Sequence, residues 1–210
     1  MENSSLMHRD EVLSILEKKL FFSRNSINKL LIFHKSLLEY NNKYNLISKS
    51  TEKLAWHRHI LDSAQIVKYI GPKVREIADF GTGAGFPGLV ISIFNEKNTF
   101  HVKLYEKSPV KRDFLKNIRD KLKLTYDIIG NLYDQKITSD LIVCRAFKKM
   151  DSLIKISREN IKKPHKIIIL KGKNAQTEIN NISFDKNYSY KLVRSITDKD
   201  SKIIILNVKK

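Results

Sequence analysis

The sequence predicts an α/β protein, a doubly wound, mostly parallel, seven-stranded sheet with an N-terminal helical extension. Three observations carry that prediction. Residues 76–94 run strand, glycine turn, helix. From Val74 onward, apolar strand-like runs alternate with helical stretches until a closing pair of strands. Before that, the first seventy residues show helical spacing alone. Gly71-Pro72 breaks the chain between the two parts, giving residues 1–72 as the extension and 73–210 as the core.

Taken in order, Val12, Ile15, Leu16 and Leu20 form the apolar face of a first helix. Ile27, Leu30, Leu31, Leu37 and Leu38 mark a second, which ends in the polar, aromatic run Tyr40 to Asn45. A third is expected from Thr51 to Ile60 and a fourth from Asp62 to Ile70, with Asp62 capping its start. The first strand is Glu76 to Phe80. The glycine turn follows, then a helix through Phe94 with Pro87 in its first turn. Phe100 to Glu106 form the second strand, and a helix opens near Pro109 with Val110, Phe114, Ile118 and Leu122 on one face. Tyr126 to Ile129 and Asp140 to Cys144 are strands three and four, followed by a helix over 152–161. Ile167 to Leu170 do not alternate, which places a fifth strand in the middle of the sheet. Tyr190 to Ile196 and Ile203 to Val208 close the chain as a hairpin around Asp198-Lys199-Asp200.

The chain has 210 residues, 41% of them apolar, enough for one substantial core. A net charge of +18 favours a polyanionic partner such as RNA, against the plainer reading of lysines gathered on solvated faces. One cysteine, Cys144, excludes an internal disulfide or a cysteine-based metal cluster, and it reads as a buried apolar residue. Glu2, Arg9, Asp10 and Glu11 interrupt any secretory signal, and no uncharged segment approaches membrane-spanning length. A cytoplasmic monomer without metal or membrane contact is expected.

Asp79-Phe80-Gly81-Thr82-Gly83-Ala84-Gly85-Phe86-Pro87-Gly88 holds four of the chain's seven glycines. A glycine turn between strand and helix lets backbone approach a nucleotide-like ligand. Gly83 to Gly88 is formally G-x-G-x-x-G, and Glu106 follows eighteen residues later, as a dinucleotide fingerprint requires. Asp79 argues otherwise. A carboxylate at the lip of the turn is unwelcome beside a pyrophosphate but suits a cationic ligand, and S-adenosylmethionine carries an ammonium and a sulfonium with no phosphate. Glu106 would take the ribose hydroxyls in either case. Asp79 as a cap of the turn, and Glu106 paired with Lys107 or Lys111, are the structural alternatives.

These residues resemble a known family. Residues 79–88 are similar to the D-x-G-[ST]-G-x-G-[FL]-P-G stretch of the bacterial small-subunit ribosomal RNA guanine-N7 methyltransferases, RsmG, formerly glucose-inhibited division protein B. Asn45-Leu46-Ile47-Ser48 and Arg58-His59-Ile60-Leu61-Asp62-Ser63 resemble its N-terminal signatures. Ser108 to Leu115 resemble its basic helix, and Cys144-Arg145-Ala146-Phe147 and Leu170-Lys171-Gly172 its strand ends. The resemblance implies a class I methyltransferase fold, S-adenosylmethionine as donor and a guanine N7 of 16S ribosomal RNA as acceptor. It places donor contacts at Gly81, Phe86 and Arg145, and at Leu132 and Tyr133 in the loop after strand three. With Asp79, Gly83 and Glu106 these make the expected donor site.

Guanine N7 already bears a lone pair, so its methylation needs alignment and desolvation but no general base. No Ser–His–Asp or paired-carboxylate constellation is present to supply one. Arg145 and Phe147 are expected to position the reactants, Arg145 holding an anion or the base and Phe147 stacking on a flipped guanine. An ion pair of Arg145 with Asp79, Asp113 or Asp140, and a core role for Phe147, are the alternatives. Lys111, Arg112 and Lys171 are candidate RNA contacts. His59 and Asp62 are expected to lock the N-terminal helices against the cleft; His57, His34 and Trp56 read as packing. A non-catalytic RNA-binding module of the same fold and a nicotinamide-dependent enzyme are the competing functions.

Overall fold

In the computed structural model, which describes residues 7–134 and 136–209, the strands are β1 (Glu76–Phe80), β2 (His101–Tyr105), β3 (Tyr126–Ile129), β4 (Leu141–Arg145), β5 (His165–Lys171), β6 (Tyr188–Arg194) and β7 (Lys202–Val208). They form one sheet in the order β3-β2-β1-β4-β5-β7-β6. The first five are parallel, and β7 enters antiparallel between β5 and β6. The closing hairpin forms as expected, but the last strand in sequence is not the edge. Ile203, Ile204 and Leu206 are fully buried, and such a run must be covered on both faces. Polar, exposed β6 takes the edge instead.

Strand order reverses between β1 and β4, which brings the glycine turn and the end of β4 side by side. Along β1, Ala78 and Phe80 join the core under α7 (Met150–Asn160) and α8 (Ala175–Asn180), while Ile77 joins the core of the opposite face. Asp79 follows Ile77 by the pleat and lies against the start of α5 (Gly88–Phe94).

The N-terminal helices add to that second face. α1 (Arg9–Lys18) buries Val12 and Leu16; α2 (Arg24–Tyr44) starts at Ser23, whose Oγ accepts from the Ser26 N–H at 3.0 Å. From α2, fully buried Phe33 reaches Phe86 of the glycine turn and Phe114 of α6 (Pro109–Leu122), with centroids 5.5 and 6.3 Å away. One apolar core therefore spans extension and sheet.

The third and fourth helices differ from expectation. A short α3 (Lys49–Glu52) is followed by a π-helical turn, Trp56–Leu61, that runs into α4 (Asp62–Ala64), then a 3₁₀ turn at Val67–Tyr69. Asp62 does not cap a helix start: its backbone is helical (φ −57°, ψ −41°) and helix continues on both sides. The wider π turn redirects the side chains of Arg58 to Asp62, and such turns recur at functional sites. α8 was not foreseen because six residues with few apolar positions show no period.

Candidate active site

The glycine turn is held from within. Gly81, Gly83 and Gly85 have φ of 70°, 60° and 105°. A Cβ on Gly81 would lie 2.5 Å from Cδ2 of Phe147, and one on Gly88 would lie 2.6 Å from Asp79 Oδ2. Asp79 is fully buried, and its Oδ2 accepts from the Gly88 N–H at 2.7 Å. The capping role is thus realised. Among the described residues its Oδ1 meets no donor in ordinary hydrogen-bond geometry, though the Thr82 hydroxyl lies close enough to stabilise the carboxylate. Burial pushes the Asp79 carboxyl up to about 7, against the pull of nearby hydrogen-bond donors and Arg145. Glu106 pins the turn from the other side, Oε2 accepting from Gly83 N–H at 2.9 Å and Oε1 from Ser108 N–H at 2.8 Å. Backbone donors, in place of Lys107 or Lys111, are its partners.

Above Gly81 lies a cavity of about 180 Å³, walled by Tyr105, Leu132, Tyr133 and Phe147, with Glu106 among its polar groups. Gly81, Glu106, Leu132, Tyr133 and Phe147, widely spaced in sequence, therefore share one cavity. Flat apolar walls and a carboxylate suit a nucleoside with ribose hydroxyls. Two carboxylates at the turn, Asp79 and Glu106, fit S-adenosylmethionine better than a diphosphate. Lys107 and Lys148 stand at the rim, each ammonium about 5 Å from the Tyr133 ring centre, and Lys148 Nζ donates to the Tyr133 hydroxyl at 2.6 Å. Both lie beside motifs and not within them, so no pattern in the chain pairs them with Tyr133. A wider groove of about 700 Å³, lined by Glu11, His57 and Lys199 among others, borders neither the glycine turn nor the end of β4.

Arg145 joins the two halves of the molecule. Its Nη1 donates to the Arg58 carbonyl at 2.7 Å, and Nη2 to His59 Nδ1 at 2.7 Å. Its guanidinium lies 5.0 Å from the centre of the Phe86 ring and 3.6 Å from Asp62 Oδ2. The ionic partner is Asp62; none of Asp79, Asp113 and Asp140 takes that place, because the π turn carries Asp62 over the end of β4. His59 stacks on Phe86 at 5.1 Å, and its Nε2 lies 2.9 Å from Thr51 Oγ1. A guanidinium only donates, so His59 Nδ1 accepts and Nε2 carries the proton. Burial, with Arg145 and Arg58 adding to it, drives the His59 pKa down to about 3, so the ring is neutral. Asp62 Oδ1 accepts from Gln65 Nε2 at 2.8 Å and Thr197 Oγ1 at 2.9 Å, which ties the turn to the β6–β7 loop. Burial raises the Asp62 pKa and lowers that of Arg145.

The remaining candidates divide. Phe86 is buried among Phe33, His59 and Arg145, outside the cavity lined by Gly81. Arg112 Nη1 donates to the Glu106 and Lys107 carbonyls, and Lys171 pairs with Glu178 at 2.8 Å, so both have partners within the protein. Lys111 lies in the first turn of α6. Phe147 is half-buried, packed near Phe80 and over Gly81. Trp56 is buried beside His34, and buried His57 contacts the Thr197 carbonyl through Nε2 at 2.6 Å. Ala146, between Arg145 and Phe147, has φ of 50°, a left-handed backbone that no motif announced. Thr51, Gln65 and Thr197 also went unforeseen, since isolated polar residues carry no pattern.

Comparison with known proteins agrees with this geometry. A solved O-methyltransferase from Bacillus cereus, in complex with SAH, superposes with a TM-score of 0.59 over 94% of this chain and 96% of its own at 14% identity, which shows the class I methyltransferase fold. The ribosomal RNA small subunit methyltransferase G of Pelagibacter ubique is 35% identical over 193 residues, covering 89% of this chain and 90% of that protein. That of Rickettsia akari is 36% identical over 183 residues, covering 87% and 94%. The family model for rRNA small subunit methyltransferase G, GidB, matches residues 26–204, and on these matches the chain belongs to that family of methyltransferases.

Proposed function

We propose that this chain transfers the methyl group of S-adenosylmethionine to N7 of a guanine in 16S ribosomal RNA, acting as a monomer with the donor in the cavity above Gly81. The observation that carries the reading is the pinned turn: Gly81 clears space beside Phe147, and Asp79 and Glu106 set two carboxylates against the turn's backbone. Gly81, Glu106, Leu132 and Tyr133 would hold the donor, with Asp79 acting through the turn. Arg145 and Phe86 would act by fixing the N-terminal helices against it.

The donor, when bound, supplies a methyl on cationic sulfur; transfer forms one N–C bond, breaks one S–C bond and releases no proton. The chain's own tasks are to align, to exclude water and to stabilise positive charge. Glu106 at the cavity and Asp79 behind the turn serve the last of these. Arg145, held among its protein partners, keeps its charge from opposing a guanine that becomes cationic. Lys107 and Lys148 would meet RNA phosphates at the rim, with Lys111 of α6 as a further candidate. No helix among the described residues is long and apolar enough to cross a membrane. Methylation of isolated small-subunit RNA and of the assembled particle, with the modified base mapped, tests the reading. A product modified at a position other than guanine N7 overturns it.

A further inference from the structure

Four aromatic rings run from the core to the surface between α2 and α6. Phe33 packs near Phe114 with centroids 6.3 Å apart, Tyr40 lies 5.1 Å from Phe114, and Tyr44 lies 6.1 Å from Tyr40. Burial falls along the row. Both phenylalanines are fully buried, Tyr40 is half-buried and Tyr44 is 49% exposed. The Tyr44 hydroxyl has no hydrogen-bond partner among the described residues. The row ends on the site's side of the molecule. α2 starts beside the end of α5, where Ser26 Oγ donates to the Ile93 carbonyl at 2.8 Å. It ends where Asn41 accepts from the Ile47 N–H and donates to Glu52, each at 2.8 Å. From there Thr51 reaches His59, which reaches Arg145 at the end of β4. Three cations stand about this place: Lys43 beside Tyr44, Lys53 beside Glu52, and Lys111 one turn before Phe114. None of them forms an ion pair among the described residues. Later charges of α6 are taken, Lys116 by Asp113 and Arg119 by Asp120. Glu52 is engaged by Asn41 and Lys49, which leaves Glu39 opposite three free ammonium groups.

We propose that Tyr44 is a stacking platform for an unpaired base of the small-subunit RNA near the target guanine, with Lys43, Lys53 and Lys111 on the phosphates around it. The inference rests on RNA being the methyl acceptor, as proposed above. A base drawn out of its stack toward the donor leaves its neighbour with one bare face. An exposed ring replaces the lost contact, and it does so for any base, because each has a π-face. Aromatic rings interleaved with cations are what single-stranded RNA is bound by. The row of rings suits the role. Tyr44 is backed by Tyr40, and Tyr40 by buried Phe114, so little freedom is lost when a base lands on it. An apolar protein surface fits this place poorly, since it would cover three ammonium groups without counterions.

Binding of small-subunit RNA by Tyr44→Ala and Tyr44→Phe tests this. Loss of one stacked base should weaken RNA affinity at least about fivefold in Tyr44→Ala. Tyr44→Phe keeps the ring and should match the wild type. Donor affinity, titrated in the same samples, should stay unchanged in both and so report an intact fold. Salt dependence separates ring from charge: the slope should hold in Tyr44→Ala and fall by about 0.7 in Lys43→Met. Synthetic RNA with an abasic residue at each flanking position in turn locates the partner, since at one position wild type and Tyr44→Ala should bind alike. Equal RNA affinity of wild type and Tyr44→Ala, an equal loss in Tyr44→Phe, or a penalty that persists at every abasic position overturns the platform and leaves the methyltransferase reading intact. A wild type that methylates neither small-subunit RNA nor the assembled particle overturns the RNA reading, and the platform with it.

Discussion

The glycine turn and the Arg145 junction meet at the Phe86 ring and are built in opposite ways. The turn is contiguous: residues 79–88 fold on themselves, and what pins them is backbone accepted by Asp79 and Glu106. The junction is assembled from a distance. Arg145 meets Arg58, His59 and Asp62, more than eighty residues earlier, and Asp62 meets Thr197, 135 residues later. The turn relies on absent side chains and the junction on present ones. Damage to the turn should therefore appear in donor binding, and damage to the junction first in stability.

Gly81→Asp should show the largest effect. Its side chain would enter the space held by Phe147, and donor affinity measured by calorimetry should fall at least about a hundredfold, beyond what one lost hydrogen bond costs. A variant that folds and binds donor normally would remove the turn from the site. Arg145→Ala comes next. A residue that only positioned the reactants would lose methylation with little loss of stability. The junction changes that expectation: breaking a buried ionic cluster costs about 3–5 kcal/mol, so denaturant melts should shift together with turnover.

His59→Asn should cost about 1–2 kcal/mol at neutral pH through lost stacking on Phe86 and the lost Thr51 contact. It also isolates a pH effect. A histidine held near 3 when folded and near 6.5 when unfolded makes the unfolded chain bind more protons, so stability falls as pH drops below 6.5. Between pH 6.5 and 5 that amounts to about 2 kcal/mol. Asp79 runs the other way: raised to about 7, it binds more protons folded, and its burial costs stability as pH rises from about 4 to 7. The wild-type curve mixes the two. The gap between variant and wild type should close by about 2 kcal/mol on acidification if the His59 assignment is right.

Donor binding should report Asp79 through the turn it caps. A cationic ligand favours the carboxylate, so affinity should rise about tenfold per pH unit up to about 7 and level off above, with up to one proton released. Asp79→Asn should flatten that slope, and a slope that persists would assign the proton elsewhere. The smallest effect belongs to the rim. Replacing both Lys107 and Lys148 with Met should reduce the salt slope of RNA binding by about 1.4, two phosphates at about 0.7 each on single strands, while leaving donor affinity alone.

Much of this was legible before any coordinates, wherever the physics is local. Glycines, a proline at a helix start and an apolar period act over a few residues, so β1, the turn, α5, the start of α6 and β3 fall where patterns put them. The π turn resisted because Arg58 to Asp62 follow helical spacing and are widened only by what they meet. Glu106 was placed correctly beside the turn, but its partners are backbone N–H groups, which have no letter in a sequence.

The sequence by itself determined the alternating architecture, the glycine bend and the family, since each depends on residues close together in the chain. Only the tertiary structure decided that Asp62 is the partner of Arg145 and that His59 is a neutral acceptor. Side-chain ionisation and pairing depend on which distant groups share a buried, weakly polarisable space, and that is set only when the sheet and the N-terminal helices close upon each other.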